Sequence, residues 1–277
     1  MTVPPPTTPQ NITTPNDSDP KLIKTQKRLH ALVAHALTTG TLDLSHCTID
    51  VENEFYLKAS LIGNEIKQTN GQIHSSFALI CKHSTFRTSL DFSSVLFKSE
   101  VDFSNTTFEQ KPNFSKTIFE NSVNFIETKF EHPLHTLFNE TTFMQTARFS
   151  KILFNQTIDF SNINFKTLVF ENITFGKEGN LQFRELPKLT EKASVTFKNI
   201  NCDSDEVHIK IRRIPKEALI TFNFEECHFY GKNVAFNTVH LPHVHITGGN
   251  NASGMAADHC YDVENTITPP PQVGFKY

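Results

Sequence analysis

From residue 92 to residue 175 the chain places one large apolar side chain at every fifth or sixth position and fills the intervals with polar residues. The apolar series is Phe92, Phe97, Phe103, Phe108, Phe114, Phe119, Phe125, Phe130, Phe138, Phe143, Phe149, Phe154, Phe160, Phe165, Phe170 and Phe175. Steps of five and six alternate, apart from one step of eight after Phe130 and a run of fives at the end. The position two before each Phe is restricted too: Leu90, Val95, Val101, Thr106 and Pro112 open a series that closes with Ile158, Ile163, Leu168 and Ile173. Two positions per unit therefore face inward.

An α-helix does not satisfy this pattern. A step of five rotates successive Phe by about 140° around a helix axis, and the segment is rich in Thr, Asn, Ser and β-branched residues, with Pro112 and Pro133 inside it. One long flat strand fails as well, because odd steps send alternate Phe to opposite faces. A chain that turns a corner once per unit keeps every Phe inside. Its short extended stretches stack coil on coil at ~4.8 Å.

The lattice resembles the pentapeptide repeat, whose unit has a small or apolar residue, often Asp or Asn, a central Leu or Phe, and two polar positions. Val101-Asp102-Phe103-Ser104-Asn105 and Ile158-Asp159-Phe160-Ser161-Asn162 match it position by position, as do Pro112-Asn113-Phe114-Ser115-Lys116 and Ile163-Asn164-Phe165-Lys166-Thr167. The resemblance implies an all-β fold, a right-handed parallel β-helix or solenoid. The extra residue in alternate units departs from uniform fives and implies a less square cross-section. Weaker matches at Leu42-Asp43-Leu44, Cys81 and Phe86, and renewed fives from Phe222 to Ile246, extend the expected solenoid over residues 41–246. Its regular part is 90–175. Residues 176–192 and 203–216 interrupt the lattice and are expected to be surface inserts, with at most a short strand at Val207-His208-Ile209-Lys210-Ile211.

The ends differ from the middle. Residues 1–18, with five prolines among Thr and Asn, predict a disordered tail. Ser18-Asp19-Pro20 is a helix-start signal, and Leu22, Leu29, Leu32, Val33, Ala36 and Leu37 follow at helical spacing up to Gly40. An amphipathic helix over 19–40 is expected to cap the first coil, since an open coil exposes apolar core and unpaired strand edges. Residues 247–277 are expected to form a C-terminal tail.

Composition sharpens this picture only where it is skewed. Phe occurs 26 times against 4 Tyr and no Trp, which a general core that mixes its aromatics has no reason to show. Lys plus Arg is 26 and Asp plus Glu 29, so a net charge of −3 gives no basic footprint for nucleic acid. The five cysteines are scattered with no CxxC pair, and no signal or membrane segment is visible, which predicts a cytoplasmic protein without a membrane span. The Asn-x-Thr sequons are by-products of an Asn- and Thr-rich repeat.

Candidate chemistry is sparse. The sequence holds no GxSxG, HExxH, phosphate-loop or dinucleotide motif, which predicts a protein that is not an enzyme and carries no cofactor. Asp91, Asp102, Asn113, Asn124 and Asp159 precede Phe and could stack into a row on one face, but Asp and Asn are also corner formers. His240, His243 and His245 are weak metal candidates, because lattice neighbours of inward residues point to different sides. Cys81, Cys202 and Cys227 fall near inward positions, as small hydrophobes do. Lys210, Arg212, Arg213 and Lys216 form a basic cluster suited to an anion or an acidic partner.

The leading expectation is a non-enzymatic scaffold that binds an unknown protein partner. Its alternatives are a carbohydrate-active β-helix enzyme, which needs a carboxylate pair in a groove, and a secreted effector. Mimicry of DNA against topoisomerases, known among pentapeptide-repeat proteins, needs an acidic rod. Between Leu90 and Phe175 ten Asp or Glu face seven Lys or Arg, which disfavours it.

Overall fold

The computed structural model describes residues 21–51, 73–131, 138–187, 189, 191–202, 206–214, 218–229, 234–237, 244–247 and 255–258. The described chain is a parallel β-solenoid with one helix at its N-terminal end. Every strand pair among the described residues is parallel, and equivalent residues of neighbouring coils lie 22 apart in the regular part, as in Val101↔Val123 and Phe108↔Phe130. Each coil of that part contributes four inward Phe, so the core consists of four columns of rings.

The columns begin with Phe92, Phe97, Phe103 and Phe108. In the Phe103 column, Phe103, Phe125, Phe149, Phe170, Phe197 and Phe224 stack with ring centroids 4.8–5.5 Å apart. The Phe92 column runs through Phe114, Phe138, Phe160 and Phe183, and meets the Phe103 column edge to face, as between Phe125 and Phe138. Offset stacks along the axis and T-shaped contacts across it are the arrangements that aromatic quadrupoles favour. Most of the series is buried, whereas Phe130 and Phe175 are half-buried and pack at the edge of the core.

The residue two before Phe is buried as well, but it differs along the rod. Thr106, Thr117, Thr128 and Thr141 turn their hydroxyls to the carbonyl oxygens of Cys81, Phe92, Phe103 and Phe114 in the preceding coil, at 2.6–2.9 Å. A buried hydroxyl without such a partner would cost ~1–3 kcal/mol. Farther along, the same position is apolar, with Ile152, Ile163 and Ile173.

Corners are made by tight turns in which the third residue has positive φ, such as Ser94, Asn105, Lys116 and Glu127 at φ 55–60°. The amide of the next residue donates to the Phe that opens the turn: Val95 to Phe92, Thr106 to Phe103 and Thr117 to Phe114. These turns sit in the five-residue steps; the six-residue steps make the other two corners.

Several boundaries differ from the sequence expectation. The helix is Gln26–Thr39, not 19–40. Leu22–Ile23 is instead a strand that pairs with Thr48–Ile49, because an apolar pair there can form the outermost rung. Thr25, in extended conformation, caps the helix and accepts from the Arg28 amide, while Gly40 at φ 78° closes it. Leu29, Val33 and Ala36 bury against the first coil, and Leu37 is partly exposed. Ser18-Asp19-Pro20 and the 1–18 tail lie outside the described residues.

The two expected inserts contain rungs of the solenoid. Asn180–Arg184 pairs with Thr157–Asp159, and Ile209–Arg212 pairs with Asn180–Arg184 and Val234–Asn237. Leu181, Phe183, Ile209 and Ile211 alternate inward and are fully buried. The lattice is lost there because these coils grow to 27 or 28 residues, as in Leu168↔Val195 and Leu181↔Ile209. The ladder also passes residue 246: Met255–Asp258 pairs with Val234–Asn237.

Candidate functional site

The face that carries the site is the five-stranded sheet of Thr157–Asp159, Asn180–Arg184, Ile209–Arg212, Val234–Asn237 and Met255–Asp258. Strand alternation sends Ile209 and Ile211 into the core and turns Lys210 and Arg212 outward on the same side. The neighbouring rung sets Gln182 beside Lys210 and Arg184 beside Arg212. Arg184 is held by Asp159 and Ser161 of the rung before, with Nη2 3.0 Å from Asp159 Oδ2 and Nε donating to Ser161 Oγ at 2.9 Å.

Lys210 and Arg212 are different. Partial burial, and then the like charge of Arg212, hold the Lys210 ammonium below the usual lysine range, with Glu206 opposing weakly. A cation held this way gains from an anion brought to the face. Arg213 sits at the corner with positive φ and pairs with Glu185 at 2.6 Å, so it belongs to the corner and not to the flat face. Lys216 lies outside the described residues. Arg184 and Gln182, which complete the face, fall within a segment expected to be a loop. Their signal is the alternation Asn180-Leu181-Gln182-Phe183-Arg184.

The Asp and Asn row is made of corner formers. Asp91, Asp102, Asn113 and Asp159 each accept through Oδ1 from the amide two residues on, at 2.8–3.0 Å, so one oxygen of each is committed to a turn. Asn124 donates to Glu100 at 3.4 Å instead. Corner side chains pair along the axis: Lys151 with Glu127 at 2.9 Å, Lys116 with Glu140 at 3.7 Å, and His46 stacked on His83 at 4.9 Å.

Among the described residues no three His, Cys, Asp or Glu side chains converge as metal ligands. His240 and His243 lie outside the described residues, and the backbone of His245 pairs with Asn223. Burial raises the Cys81 thiol well above its ordinary value and pushes Cys227 up to about 11, which disfavours the reactive thiolate. Cys227 occupies the position that Thr takes elsewhere and donates to the Phe197 carbonyl. Among the described residues no helix is long and apolar enough to cross a membrane.

The family model of pentapeptide repeats, in nine copies, matches residues 82–129. No curated protein and no solved structure matches the chain. The matched segment holds the most regular coils, where 22 residues make four inward Phe and four corners. Residues 82–129 thus carry the repeat of the pentapeptide-repeat family, with Phe as its central residue.

Proposed function

We propose that the protein is a non-enzymatic scaffold that binds an acidic protein partner on the flat face around Lys210 and Arg212, with Arg184 beside them. The observation that carries this reading is a pair of outward cations on one strand, one of them partly desolvated, on a sheet that the core holds rigid. A partner carboxylate would relieve the Lys210 ammonium and gain charge-assisted hydrogen bonds. Lys216, next along the sequence from this strand, belongs to the same proposal.

The test is the binding of a deca-glutamate peptide to the full chain, compared with the double variant Lys210→Glu, Arg212→Glu. The double substitution should weaken binding by at least about tenfold. Affinity in the natural chain should fall as salt shortens the Debye length from ~10 Å at 0.1 M to ~3 Å at 1 M. Equal binding by both chains would sink the reading.

A further inference from the structure

Between the coils of Phe130 and Phe154 the Phe108 column is interrupted, while the other three columns continue across the same two coils. Strands Thr48–Ile49, Thr85–Phe86, Thr107–Phe108 and Lys129–Phe130 form one continuous sheet on this side. That sheet ends at Lys129–Phe130, and the next coil's Leu153–Phe154 belongs to a separate pair with Thr174–Phe175. On the other sides the same two coils stay in contact, with Phe114 on Phe138, Phe119 on Phe143 and Phe125 on Phe149 at 5.0–5.5 Å. The coil that carries Phe130 has the eight-residue step from Phe130 to Phe138, so neighbours here are 24 residues apart, as in Phe125↔Phe149.

Regular rungs on this side are joined by two hydrogen bonds. Lys129 and Glu131 amides donate to the Thr106 and Phe108 carbonyls, and the Thr174 and Gly176 amides donate to Ile152 and Phe154. The corresponding groups at the interruption are the Leu153 and Asn155 amides and the Thr128 and Phe130 carbonyls. They border a groove of ≈ 700 Å³. Its wall includes half-buried Phe130 and Leu153, a residue that is 52% exposed. Among its described lining residues two lysines, Lys129 and Lys151, balance two glutamates, Glu127 and Glu131. A charged ligand gains little from such a lining, whereas a strand edge recognises peptide backbone.

We propose that this interrupted rung binds an extended peptide, whose carbonyls accept from the Leu153 and Asn155 amides and whose apolar side chain rests on Phe130 and Leu153. The site is separate from the cationic face and stands or falls independently of it.

The experiment selects phage-displayed random heptapeptides against the full chain and titrates a synthetic copy of the enriched peptide into isotope-labelled protein. Binding should shift the Leu153 and Asn155 amide signals more than those of Thr174 and Gly176, and slow their hydrogen exchange by about tenfold or more. The substitution Leu153→Glu, at an exposed position, should weaken binding by roughly tenfold. N-methylation of alternate peptide amides should weaken it too, through the Thr128 and Phe130 carbonyls. Enrichment equal on the Leu153→Glu chain overturns the proposal, as does a peptide whose shifts lie elsewhere. Leu153 and Asn155 amides already as protected in the free chain as those of Thr174 and Gly176 also overturn it, since the chain itself or a second copy then closes the rung.

Discussion

At the residue scale, stability resides in the ring columns and in small polar devices between them. Phe125 stacks on Phe103 and Phe149 and meets Phe114 and Phe138 edge on. Phe125→Ala should cost ~3–5 kcal/mol in denaturant unfolding, as a truncation in a core that cannot collapse onto the void. Thr128 is a gentler case. Its hydroxyl serves the Phe103 carbonyl, which also accepts from the Thr106 amide, so Thr128→Val leaves that oxygen satisfied and should cost no more than ~1 kcal/mol. The Ile that replaces Thr in later coils fits this expectation. At the corners, Asn162 has φ 55°. Asn162→Val should cost ~1–2 kcal/mol because a β-branched side chain clashes in the left-handed region, and Asn162→Gly should be close to neutral by the same measurement.

At the element scale the rungs are tied by corner pairs and by close backbone approach. Lys151 holds the Glu127 carboxyl below its ordinary value of 4.5, first through a hydrogen bond and then through its charge. A lowered folded value means that the pair's contribution is present above pH ~4.5 and is lost as pH falls through the lowered value. Lys151→Met should therefore flatten the acid limb of the stability profile near the two coils that bound the groove. Lys210 gives a slope of the same sign from the opposite cause, since its charged form is disfavoured in the folded chain. Its lowered folded value makes the charged form costly, so stability should rise as pH climbs from that value toward 10.5, and Lys210→Gln should remove this rise. Gly179 approaches its neighbour so closely that a Cβ would lie 1.8 Å from the Phe154 carbonyl oxygen. Gly179→Ala should cost ~2–4 kcal/mol, a backbone clash that flexible side chains cannot relieve.

At the scale of the whole molecule, the solenoid is a stack in which each coil contacts mainly its neighbours, so its ends matter most. The helix covers the first coil with Leu29, Val33 and Ala36, and a chain lacking residues 1–40 uncovers Leu42 and Leu44. That chain should self-associate, giving a larger mass by light scattering after size-exclusion chromatography than the full chain gives.

The spacing of Phe, by itself, determined that this is a solenoid, which positions face inward, and that corners are frequent. Period is a local property, and a side chain that must be buried at every fifth or sixth position leaves few alternatives. The cap helix was legible for the same reason, although its start was misplaced: Leu22-Ile23 suits either helix or strand, and pairing with Thr48–Ile49 decides it. Tertiary structure alone settled the rest. Asn180–Arg184 and Ile209–Arg212 became rungs because neighbouring coils offer them partners, even though longer loops put them off the lattice. The cationic face needed that pairing to bring Arg184 beside Arg212, and the interrupted rung needed three intact columns to make the fourth one a groove. Both are set by contacts between residues more than twenty apart, a distance that spacing along the chain does not encode.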